Sequence, residues 1–197
     1  MSKPSTSRPA TLAFPGCRPL LCLLSAGLLA AGCSTGQSDY TYTTEGLVLP
    51  PQAHESARFA QDMLDAVNAV RSRGYACASG YYPAAPPVTW NSRLGMAAQA
   101  HADDLAARGR LSHFGSNGST PFERMQAAGY RFANAGENVG QGHPDVATVM
   151  KRWLKSPSGH CDAIMDAAYE DMGAGLAVGS VDGRETRFWV LNAGRSR

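Results

Sequence analysis

Residues 172–192 read MGAGLAVGSVDGRETRFWVLN. Two runs of strand character, Met172–Val178 and Thr186–Asn192, flank a turn containing Asp182-Gly183, a dipeptide suited to a tight reversal between strands. Phe188, Trp189, Val190 and Leu191 form the most continuous apolar stretch of the chain, as expected of a buried strand. Ala135–Val139 is a candidate third strand. Upstream of this stretch the period changes from two to about 3.6, so helices precede and interleave a small, largely antiparallel sheet. That combination reads as an α+β layered domain.

Helical patterns can be followed back toward the N-terminus. Asp145–Leu154 places Val146, Val149, Met150 and Trp153 on one side. Thr120-Pro121-Phe122-Glu123 combines a Thr cap, a first-turn proline and a glutamate three residues after the cap, a capping box opening a short helix. Before it, a helix beginning near Asn91 carries Leu94, Ala98, His101 and Leu105 as its stripe and stops at Gly109. The first helix has Phe59, Met63, Val67 and Val70 at helical spacing, with Ser56 as its cap and Gly74 as its end. Between them Tyr75–Val88 reads as a loop, broken by Pro83, Pro86 and Pro87.

The N-terminus points to export. Lys3, Arg8 and Arg18 precede any acidic residue, and Leu20–Ala31 (LLCLLSAGLLAA) is an apolar run well short of the ~20 residues that span a membrane. It ends in Leu29-Ala30-Ala31-Gly32-Cys33, which resembles the lipobox of bacterial lipoproteins. Residues 1–32 are therefore expected to be a signal peptide and Cys33 the lipidated residue. Residues 33–54 form a polar tether, and 55–197 the domain. The whole chain has 18 basic and 16 acidic residues, and three of the basic ones lie in 1–32, so the remainder stands at −1. Such a balance offers no electrostatic footprint for nucleic acid.

Of the five cysteines, Cys17 and Cys22 leave with the leader and Cys33 is the anchor. Cys77 and Cys161 remain, an even pair in an exported chain, and a disulfide between them is expected. No C-x-x-C pair favours a structural zinc site instead.

The polar residues with chemical potential are His113 in Ser112-His113-Phe114-Gly115, Glu137 in Gly136-Glu137-Asn138-Val139, and His160 at the end of Trp153–His160. Only tertiary structure could gather residues so far apart. Together with Trp90-Asn91, Ala100–Asp104 and Met172–Gly175, these blocks occur in an order that resembles the CAP superfamily. Its members are the SCP-domain proteins: cysteine-rich secretory proteins, venom antigens and pathogenesis-related proteins. The similarity runs over residues 60–194 and is nearest to the bacterial single-domain branch. It implies a three-layer α-β-α sandwich.

The resemblance also implies a cleft lined by two histidines and two glutamates, with the histidines able to hold a divalent metal. His113 and His160 match the histidines and Glu137 the first glutamate. The second glutamate's place, after Trp153, holds Ser156. A weakly held Zn²⁺ is the only cofactor implied. The family's roles make a non-enzymatic cell-envelope binding module the expected function, with a lipid, peptide or glycan ligand. The chain would then be a monomer held to a bacterial membrane at Cys33, on its periplasmic or surface face. The alternative is a metal-dependent hydrolase using His113, His160 and Glu137. Glu137 can equally be structural, accepting backbone N–H groups of the glycine-rich Ala135–Gly140 segment. His101 reads as a hydrogen-bonded core residue and Glu123 as the second half of the capping box. Trp90, Trp153 and Trp189 read as core aromatics, Asn117-Gly118-Ser119 fits a glycosylation sequon but also simply makes a turn, and His143 has no partner that the sequence names.

Overall fold

The fold is described from a computed structural model, which covers Tyr42–Thr43, Gly46–Leu47 and residues 51–197. The leader and Cys33 lie outside the described residues. A two-residue ribbon, β1 (Tyr42–Thr43) with β2 (Gly46–Leu47), precedes helix α1 (Pro51–Arg71). The helix starts ahead of Ser56, which is therefore not its cap; proline is at home in a helix's first turn because no helical N–H is lost there. Tyr75–Val88 is not wholly loop. β3 (Tyr75–Cys77) and β4 (Gly80–Tyr82) pair antiparallel across it, leaving the prolines to follow the hairpin.

The central sheet has the order β5-β7-β8-β6, from β5 (Thr89–Trp90), β6 (Phe132–Gln141), β7 (Asp171–Val181) and β8 (Arg184–Ser196). β7, β8 and β6 run antiparallel, and only the short β5 is parallel to its neighbour. The expected strands are present and longer than the sequence runs. Asp182 takes a positive φ of 50° and Gly183 one of 75°, so the β7–β8 reversal occupies the left-handed region favoured by this dipeptide.

Alternation along β8 separates the two faces. Trp189 and Leu191 pack into a core with Met63 and Val67 of α1, Trp153 of α4 (Val146–Leu154) and Ile164 of α5 (His160–Met165). Phe188 and Val190 face the other way, onto Ala98, Ala102 and Leu105 of α2 (Ser92–Arg108). α3 (Pro121–Ala127) extends that layer through Met125 against Leu94. The chain is therefore an α-β-α sandwich. α2 lies unusually near β7: a Cβ on Gly173 would come within 2.1 Å of the Gly95 nitrogen, and one on Gly175 within 2.4 Å of the Gln99 nitrogen. Those two positions require glycine because the helix backbone occupies the side-chain space.

The caps of α2 and α3 form as the sequence implies. Asn91 accepts from Arg93 N, Gly109 closes α2 in the left-handed region, and Thr120 with Glu123 completes a capping box. α5 has no side-chain cap; its first turn is instead fixed by the Cys77–Cys161 disulfide, with Cα atoms 5.7 Å apart. From the opposite end Arg71, 1% exposed, donates to the carbonyls of Pro86, Ile164, Asp166 and Tyr169. A buried guanidinium thus satisfies four carbonyls, one from the loop before β5 and three from the end of α5 and the segment that follows it.

Candidate functional site

The edge strand β6 brings the site together. Successive residues point to opposite faces, so Glu137 and Asn138 serve different layers. Glu137 faces α2. Its Oε1 accepts from His113 Nδ1 at 2.9 Å and its Oε2 from Arg124 Nη2 at 2.7 Å. Asn138, 2% exposed, faces α5 and donates to the His160 carbonyl at 2.9 Å. The strand thereby holds one histidine from each helical layer.

Glu137 does not form a wall of the cleft. Its side chain is 1% exposed, drawn inward by Arg124 rather than held by backbone N–H groups of its own segment. Arg124 also donates to the carbonyls of Ser119 and His113, at 2.8 and 3.0 Å. Asn192 lies over the same carboxylate; in the amide orientation that satisfies both ends, it donates to Oε2 at 3.3 Å. Arg124 was not legible as a site residue, because its bond to Glu137 joins α3 to an edge strand 13 positions away.

His113 is half-exposed. Its bond through Nδ1 to a carboxylate places the proton there and leaves the Nε2 lone pair outward. His160 is more enclosed, and its Nδ1 is hydrogen-bonded to Ser156 Oγ at 2.8 Å. That hydroxyl also accepts from Ser158 N at 3.2 Å. Burial, and then the nearby charge a protonated His113 would carry, holds the His160 pKa below the ordinary imidazole value. His101 is a core residue, 1% exposed. Its Nε2 donates to the Ser112 carbonyl at 2.9 Å, and burial depresses its pKa against the opposing pull of Glu137.

A cavity of about 390 Å³ opens beside His160, lined among others by His143, Arg152, Trp153, Lys155 and Ser156. The loop carrying His143 is tightly held. Gly142 N donates to the Arg187 carbonyl and Trp189 Nε1 to the His143 carbonyl, both at 2.9 Å, while Arg187 reaches the Pro144 carbonyl. Burial, then Arg152, keeps the His143 pKa low. Arg152 and Lys155 stand three apart around Trp153, a spacing that places both on one helical face; that signal was present in the sequence.

The two histidines that the resemblance assigns to a metal lack a third ligand. Among the described residues no group of three His, Cys, Asp or Glu side chains is placed to hold an ion. Glu137 has both oxygens engaged, and the position that could supply another carboxylate is Ser156. This donor set does not fit a hydrolytic zinc centre with three protein ligands and an open position.

The model of the cysteine-rich secretory protein family, CAP, matches residues 64–193. The uncharacterized protein YkwD of Bacillus subtilis is 27% identical over 89 residues, covering 45% of this chain and 34% of that protein. The match thus spans about a third of that curated relative. Among solved structures, an extracellular SCP-domain protein from Bacillus anthracis is 25% identical with a TM-score of 0.56, covering 76% of this chain and 45% of that one. An outer surface protein from Borrelia burgdorferi shares the fold at 15% identity and a TM-score of 0.53, covering 76% and 97%.

Proposed function

The chain belongs to the CAP, or cysteine-rich secretory protein, family, and on that premise we propose that it is a non-enzymatic binding module of the cell envelope. In this reading it is exported and tethered through Cys33, with its ligand seated in the cleft beside His160. The observation that carries the reading is the condition of Glu137. A general base or metal ligand needs an accessible lone pair, whereas this carboxylate is buried and bonded on both oxygens. Glu137 acts as a pin that joins α3, β6 and the His113 loop. Export is supported by the lipobox-like Leu29–Cys33 and by the extracellular description of the Bacillus anthracis relative.

The full-length chain, held in neutral detergent, should be offered peptide and ester panels with and without zinc. Native mass spectrometry and lipid and glycan screens would run beside them. Retained ligand without zinc-dependent turnover is expected. Turnover that requires zinc and disappears in His113→Ala and His160→Ala would overturn the proposal in favour of the hydrolase.

A further inference from the structure

The cavity beside His160 collects cationic and donor groups and no carboxylate. Arg152 and Lys155 contribute two formal positive charges to its lining, and none of the lining residues is acidic. Neither cation lies within 4.0 Å of a carboxylate oxygen among the described residues. Arg152 in the last turn of α4 and Lys155 at its C-cap suit the helix dipole. The dipole does not account for His143 and His160 converging on the same cavity from a pinned loop and from α5.

Ser156 matters to the same balance. A carboxylate at that position would add negative charge and fix the His160 proton on Nδ1. A hydroxyl adds no charge and can itself donate to Nδ1, leaving the proton on Nε2, which is then a donor. Donors from an Arg fork, an ammonium and imidazole rings arrive from several elements. A tetrahedral, multi-oxygen anion satisfies such a set better than a planar carboxylate, which one guanidinium can saturate.

We infer that the cleft formed by His143, Arg152, Lys155, Ser156 and His160 binds the phosphate group of its ligand. The inference rests on the binding-module reading and names the chemistry of that module's ligand. A phosphate can be free or belong to a lipid headgroup.

The test titrates the full-length chain in neutral detergent with inorganic phosphate, and separately with short-chain phosphatidylglycerol below its micelle concentration. Binding is followed through the histidine ring resonances. Saturable shifts at His143 and His160 that weaken with added salt are expected. Arg152→Ala with Lys155→Ala should lower the affinity at least about tenfold, since the charge-assisted hydrogen bonds of both cations are lost. Both side chains are exposed, so an unchanged melting temperature should accompany the loss. Shifts with both probes support a site for the phosphate itself, and shifts with the lipid alone support a headgroup site. No shift with either probe, or equal affinity in the double variant, would overturn the inference. If a neutral glycan or peptide binds instead, only the phosphate assignment fails. Zinc-dependent turnover lost with the two histidines would remove the module reading, whatever phosphate does.

Discussion

Replacing Glu137 separates a structural pin from a catalytic carboxylate. In Glu137→Leu, Arg124 loses its 2.7 Å partner while its own side chain is only 11% exposed. Removing one member of a buried pair typically costs about 3–5 kcal/mol, because the remaining charge stays desolvated. Arg124 keeps the Ser119 and His113 carbonyls, which places the expected loss near the lower end, about 3 kcal/mol. The His113 bond adds little, since that ring is 47% exposed and a solvated hydrogen bond contributes about 1 kcal/mol or less. Glu137→Gln keeps one acceptor for Arg124 and should cost less than the leucine. Adding Arg124→Met to Glu137→Leu removes the stranded charge, so the double variant should lose less than the two single losses combined. Urea unfolding of the wild type, Glu137→Leu, Glu137→Gln, Arg124→Met and the double variant gives all the required differences. A catalytic carboxylate predicts the opposite sign, because functional residues are commonly held at a cost to stability. If Glu137→Leu is neutral or more stable, or if the double variant is strictly additive, the pin does not exist.

Two further outcomes follow from the same structure. Cys77→Ser opens a loop of 84 residues, for which chain entropy predicts a loss of about 4–5 kcal/mol. Denaturant melts should show it and Cys161 should become alkylatable, whereas two alkylatable thiols in the unreduced native protein would exclude the bridge. His101, His143 and His160 all have pKa values below 6.5, chiefly through burial. On acidification the unfolded chain therefore takes up protons first. The stability due to these neutral rings is present above about pH 6.5 and declines as pH falls below that value. Thermal melts between about pH 7.5 and 5.5 should show the decline, and replacing His143 with Gln should flatten it. A flat or rising profile would contradict the burial argument.

What could be read from the sequence was what local chemistry specifies. Asn91, Gly109 and the Thr120–Glu123 box set helix ends through contacts within a few residues, and the β7–β8 reversal is encoded by Asp182-Gly183. α5 carries no such signal: Gly159 precedes it without a side-chain cap, and it is held by Cys161, Asn138 and the Arg71 guanidinium from elsewhere. The β3–β4 hairpin is similarly brief, three residues on each side, and Cys77 ties it to α5.

The site divides along the same line. His113, Glu137 and His160 could be named because their neighbours resemble a family pattern, yet that pattern does not say which face of a strand each one uses. The alternation of Glu137 and Asn138 on an edge strand decides it, by placing the carboxylate beside Arg124 and sending the amide to His160. A one-residue slip of β6 against β8 would exchange those partners and expose both oxygens of Glu137 to a different layer. The register Glu137↔Asn192 and Asn138↔Leu191 is therefore as much a part of the site as its histidines. It also explains how the carboxylate of Glu137 can serve as an internal strut while the open cleft presents Arg152, Lys155 and the Ser156 hydroxyl.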